Sequence, residues 1–172
     1  NHLFTNNSAE NNIRIRNVNY FKQNNFNKFE FGFETKYNFS KFDVLYEAWE
    51  DNYGNPTPRL YVNKKLGTAK FAIFAQHQLK FTENLNFEYG VRADYFEYND
   101  HLNFSPRLSI SYNLNNGINL SASAGIFTQE IPENFLIQND EFKNLKTPIS
   151  NHLIFGISKM LGESTKLSVE AY

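Results

Sequence analysis

The stretch Lys28-Phe29-Glu30-Phe31-Gly32-Phe33-Glu34-Thr35-Lys36-Tyr37-Asn38-Phe39 decides the fold. Its odd positions carry Phe29, Phe31, Phe33, Thr35, Tyr37 and Phe39, and its even positions carry Lys, Glu, Gly and Asn. Successive side chains of a strand point to opposite faces, so an extended segment here separates an oily surface from a wet one. A helix would scatter the same residues around its circumference.

The pattern recurs. Leu85, Phe87, Tyr89, Val91, Ala93 and Tyr95 alternate with Asn86, Glu88, Gly90, Arg92 and Asp94. Leu108, Ile110, Tyr112 and Leu114 alternate with Arg107, Ser109, Ser111 and Asn113, and 118–126 follows the same rule. Weaker versions at 13–21, 42–49, 69–81, 153–161 and 165–172 bring the expectation to nine strands, with no helix between them. Several runs are longer than the 5–6 residues of a common soluble strand and match the roughly 9–11 that a tilted transmembrane strand needs.

Composition agrees with a membrane wall built from strands. The 172 residues include 18 Phe, 10 Tyr and 1 Trp, no Cys, and 17 Lys+Arg against 18 Asp+Glu. Mean hydropathy is −0.56, an average that alternation depresses. No apolar run reaches the ~18 residues of a membrane-spanning helix. The near-zero charge argues against nucleic acid as a partner, and without Cys there is neither a disulfide framework nor a thiolate site. An N-terminal signal segment is not evident in Asn1-His2-Leu3-Phe4.

Connections supply a second test. Tight turns are expected at Ser40-Lys41, 82–84, 115–117 and 162–164, and longer ones at 22–27, 51–68, 97–104 and 128–148. Alternating short and long connections are the habit of an up-and-down transmembrane β-barrel, with short turns periplasmic and long loops extracellular. The polar faces would then line a lumen and the aromatic faces would meet outer-membrane lipid, with Tyr and Trp49 near strand ends in the interfacial girdles. Nine is an odd count, and Glu170-Ala171-Tyr172 sits inside a strand, so the expectation is a segment of a larger barrel.

Local motifs carry a family resemblance. Phe74-Ala75-Gln76-His77, Gly90-Val91-Arg92-Ala93-Asp94, Phe104-Ser105-Pro106-Arg107-Leu108-Ser109, Ala124-Gly125-Ile126-Phe127 and His152-Leu153-Ile154-Phe155-Gly156-Ile157 follow one another in order. Together they resemble the barrel of TonB-dependent outer-membrane receptors, over roughly 70–172; the likeness of 1–69 rests on alternation. His77 and Asn151-His152 depart from the acidic residues common there. The Asn, Phe and Lys content is similar to that of Bacteroidetes-type receptors. The resemblance implies a 22-stranded barrel, a plug domain and TonB engaged through the full-length protein, and import of a small-molecule nutrient such as a siderophore, cobalamin or glycan. Residues 1–172 read as barrel alone, with nothing similar to the plug or the TonB-engaging box.

Candidate site residues fall in two groups. Glu88, Arg92, Asp94 and Arg107 would face the lumen, either as a network touching plug or substrate or as a self-neutralising wet wall. In loop 128–148, Gln129, Glu130, Phe135, Gln138, Asn139, Asp140 and Phe142 pair aromatics with amides and carboxylates, suited to capturing a sugar or siderophore. They suit an ordinary extracellular loop equally well. His2, His77, His101 and His152 lack metal-ligand spacing, so no metal or other cofactor is expected. Asp51-Asn52-Tyr53-Gly54-Asn55 offers oxygen ligands but reads foremost as a turn. No catalytic residue is expected; Asp100-His101 is the nearest to a hydrolase pair. The competing readings are a smaller outer-membrane barrel acting as pore or adhesin, and a soluble β-sandwich binding module whose aromatic face is a core.

Overall fold

The computed structural model describes residues 3–114, 116–162 and 164–172. Asn1, His2 and the expected turn residues Asn115 and Glu163 lie outside the described residues. Strands β1 (Phe4–Asn6), β2 (Ala9–Lys22), β3 (Asn27–Tyr46), β6 (Leu60–Lys80), β7 (Leu85–Phe96), β8 (His101–Asn113), β9 (Ile118–Thr128), β10 (Ile149–Met160) and β11 (Lys166–Ala171) form one sheet. Every pairing in it is antiparallel. A separate two-stranded ribbon, β4 (Trp49–Glu50) with β5 (Pro56–Thr57), sits between β3 and β6.

The sheet has nine strands, though not the nine expected. β1 and β2 both pair with β3, leaving eight rows in meander order. The segments 28–39 and 42–49 are not separate strands: β3 is continuous for 20 residues. Its ladder with β6 runs without interruption from Asn27↔Leu79 to Tyr46↔Leu60. Ser40-Lys41 is therefore no turn. The alternation does not stop there; its apolar side changes. Phe29 to Phe39 occupy odd positions, whereas Phe42 and Val44 occupy even ones. A polar pair between two opposed patterns imitates a turn.

Correcting that strand moves one connection to the other end. Connections 23–26, 81–84, 114–117 and 161–165 share one end of the sheet, and 47–59, 97–100 and 129–148 share the other. The segment 22–27, expected among the long loops, belongs with the tight turns. There Asn24 Oδ1 accepts from the backbone N–H of Phe26 at 2.8 Å and of Asn27 at 2.7 Å, an Asx turn. Gly117 adopts φ 78°, a conformation that the absent Cβ permits at the 114–117 turn. The 51–68 and 97–104 loops are shorter than expected, because 60–68 and 101–104 are strand. Trp49 lies in the β4–β5 ribbon rather than at the end of a sheet strand.

Most large apolar side chains are on the surface: Phe31, Phe33, Tyr89, Leu108 and Phe155 are about half exposed on one face of the sheet. That is the organisation of a barrel wall whose dry side meets lipid. On the opposite face lie Glu34, Arg92, Ser105 and Arg107. Gly32 on this face lies under Phe74 and beside the carbonyl oxygen of Asn17, where a Cβ would collide with both. The buried core is small and is also on the polar face, where Phe42, Val62 and Ile137 meet with Leu60, Leu66 and Tyr98 packed around them.

Candidate ligand-facing site

That core exists because the 129–148 connection folds back onto the sheet. Its neck closes through Gln129 N–H to the Pro148 carbonyl at 3.0 Å. Pro132, with its fixed φ, starts the four-residue helix α1 (Glu133–Leu136), an element not expected from the sequence. Asn139 then caps a 3₁₀ turn at Asp140–Asn144, its side chain accepting from Glu141 N–H at 3.0 Å. This arrangement buries Leu136 and Ile137, which are 0% and 2% exposed, with Ile137 against Phe42 of β3 and Val62 of β6.

Polar contacts fasten the same segment. Glu133 is buried and accepts from Asn38 Nδ2 and from Ser40 Oγ at 3.3 Å. Lys70 Nζ lies 3.5 Å from Glu133 Oε1 and 2.5 Å from Glu130 Oε2. It also lies 4.2 Å from the Phe96 ring centroid. Lys64 Nζ reaches Asp140 Oδ1 at 3.1 Å, and that hydrogen bond holds the Asp140 carboxyl below its ordinary range. Burial pushes the nearby Tyr98 hydroxyl up.

With Asn139 spent as a cap, the other six of the seven expected loop residues separate by position. Glu130 and Asp140 engage lysines of β6. Phe135 and Phe142 stack at 5.7 Å with 14° between planes, and Phe135 remains half exposed. Gln138 Nε2 donates to the Asn134 carbonyl at 3.1 Å, and Gln129 is exposed. Asn38, Ser40, Lys70 and Glu133 were not anticipated. The signal available was the run of even-numbered apolar residues Phe42, Val44 and Tyr46, which demands a cover on that face.

The four charges expected to share a network lie on one face but in three arrangements. Arg92 pairs with Asp94, Nη2 to Oδ1 at 2.7 Å. Glu88 accepts from Gln76 at 2.8 Å and Gln78 at 3.1 Å. Arg107 stacks its guanidinium 4.8 Å from the Phe127 ring centroid. Arg14 and Arg16 of β2 join them through Glu34, at 2.6 and 3.9 Å. Arg14, Arg16, Glu34, Arg92 and Arg107 border one open cavity of about 360 Å³.

Other candidates have structural partners. Asp100 accepts from Tyr95 Oη at 2.9 Å, while His101 Nδ1 sits near Asn99 at 3.2 Å and Thr147 at 3.4 Å, so the two form no catalytic pair. Asp51 is an Asx turn, accepting from the N–H groups of Tyr53 and Asn55 at 2.8 and 2.9 Å, with Gly54 at φ 80°. Among the described residues, no three His, Asp or Glu side chains gather as a metal site.

A wall of long antiparallel strands, dry on one face and charged on the other, defines a transmembrane barrel segment. The sequence matches the TonB dependent receptor-like, beta-barrel family over residues 1–135, and the chain belongs to that family of the outer membrane. Its fold is similar to the outer membrane transporter YddB from Escherichia coli, at TM-score 0.61 and 17% identity over 91% of this chain and 24% of that one. It is likewise similar to FpvAI in complex with pyocin S2, at TM-score 0.64 and 16% identity over 97% and 24%. P. aeruginosa FpvA bound to heterologous pyoverdines matches at TM-score 0.61 and 15% identity over 97% and 25%. The chain thus spans about a quarter of each of these structures. No curated protein matches it in sequence.

Proposed function

We propose that the chain is part of the barrel of a receptor that imports a small-molecule nutrient, with plug and TonB engaged by the full-length protein. The observation that carries this reading is the 129–148 segment, folded onto the polar face and presenting the Phe135–Phe142 stack there. In this reading the polar face lines the lumen, the four tight turns are periplasmic, and 129–148 guards the extracellular mouth. Flat aromatic surface on a segment that also carries the amides of Gln129 and Gln138 suits a ligand with planar or sugar-like groups. The FpvA structure contains bound pyoverdine, a precedent for small-molecule capture on this fold. Glu88, Arg92, Asp94 and Arg107 would form the wet wall below, where Arg107 faces an open cavity and can meet an anionic plug or substrate group.

Uptake and binding by the full-length receptor test the proposal. Phe135→Ala and Phe142→Ala should each weaken binding about 2- to 10-fold, the worth of one aromatic contact, while the barrel stays folded. Unchanged binding of every nutrient the receptor imports would remove this pair from the site.

A further inference from the structure

The 131–145 segment is fastened by groups other than those it displays. Ile137 is sealed against Phe42 of β3 and Val62 of β6, Leu136 is fully buried, and Glu133 is 7% exposed. A buried carboxylate is tolerated only with donors around it, and here Asn38, Ser40 and Lys70 supply them from two adjacent strands. Lifting the segment would leave Phe42 and Val62 bare to water, both now at most 5% exposed. One group opposes closure. Thr68 Oγ1, placed opposite Asn38 in the β3–β6 ladder, is buried with no hydrogen-bond partner among the described residues. Opening would return water to it.

We propose that 131–145 is a strap latched closed before any ligand arrives, with Glu133 as its positioning residue and Thr68 as the built-in opposition that keeps it releasable. The Phe135–Phe142 pair is then held in place in advance, not recruited by binding. That last consequence rests on the pair being the ligand contact; the latch itself does not.

Hydrogen exchange of the full-length receptor in detergent, with no ligand added, tests the latch. The N–H groups of Ile137 and Gln138, bonded to the Glu133 and Phe135 carbonyls at 3.1 and 3.2 Å, should be protected. Glu133→Ala should accelerate their exchange about tenfold or more, with β3 amides and heat-modifiable gel mobility unchanged as the folding control. Should that variant fail to assemble, Glu133→Gln keeps one acceptor oxygen for Asn38, can donate its amide to Ser40 Oγ, loses the ion pair with Lys70, and should give a smaller acceleration. Thr68→Val should slow exchange, an effect that a merely disruptive substitution would not produce. Free-peptide exchange in the wild type, or wild-type protection in both Glu133 variants, would overturn the proposal. Faster exchange in Thr68→Val would overturn the role of that hydroxyl. Because no ligand is present, these outcomes are separate from any loss of uptake on changing Phe135.

Discussion

The two halves of β3 obey opposite rules. From Phe29 to Phe39 the apolar side chains occupy odd positions and lie on the open, exposed face. From Asn38 to Val44 the even positions are buried, Phe42 completely, beneath the strap. The neighbouring strand repeats the change: Phe71 and Ile73 are exposed on the odd side, whereas Val62 is buried on the even side. Both halves have a period of two and one unbroken ladder. Period reports that a strand exists, and phase reports which side of it is dry. In the lower half the dry side is lipid. We place the upper half beyond the hydrocarbon, where lipid no longer demands apolar groups and the strap supplies dryness on the opposite face.

The largest effect that sharpens this contrast should come from the upper half. Phe42→Ala removes the centre of the core under the strap and should cost the strap about 3–5 kcal/mol of docking. The expected signature is local: rapid proteolytic cutting within 129–148 and an unaltered, heat-modifiable barrel. Unfolding of the whole barrel would show instead that the strap is integral to the wall. In the lower half, Phe33→Arg should lower the stability of the bilayer-inserted receptor by about 2–4 kcal/mol, measured by urea titration in lipid vesicles. Asn63→Arg, on the same face of the upper half, should cost about 0–1 kcal/mol. Equal costs at the two positions would break the assignment of the phase change to the edge of the hydrocarbon.

The wall was legible because each face of β7 or β9 is decided by residues two apart, within one segment. Where one strand serves two environments, the same evidence misleads, and Ser40-Lys41 looked like a turn for that reason. The strap was not legible. Asn38 and Glu133 are separated by 95 positions, and nothing local to Glu133 distinguishes it from Glu130 or Glu141. Its burial depends on a fold-back set by Pro132 and on the apolar ends of β3 and β6. Glu130 and Asp140 were readable as polar loop residues, but their pairing with Lys70 and Lys64 required knowing which strand lies beneath. The resemblance to a receptor barrel rested on motifs in β6 to β10, and each of those motifs lies within a strand.

The smallest effect concerns the outer rim of the strap. Asp140 is fully exposed, and its hydrogen bond to Lys64 depresses its carboxyl pKa. A depressed pKa means that the contact favours the closed strap at pH above the ordinary aspartate value of 3.8, and that this help is lost as pH falls through the lower folded value. A spin label on Asn144→Cys in the full-length receptor should therefore keep constant mobility from neutral pH down to the ordinary aspartate range, and become more mobile only below it. Asp140→Asn should show the slightly higher mobility at every pH, without that acid step. High salt should narrow the difference between the two proteins, since an exposed pair is screened. A transition already present near pH 6, or one that survives in Asp140→Asn, would assign the rim's fastening to another group and leave Glu133 and the apolar contact as the whole of the latch.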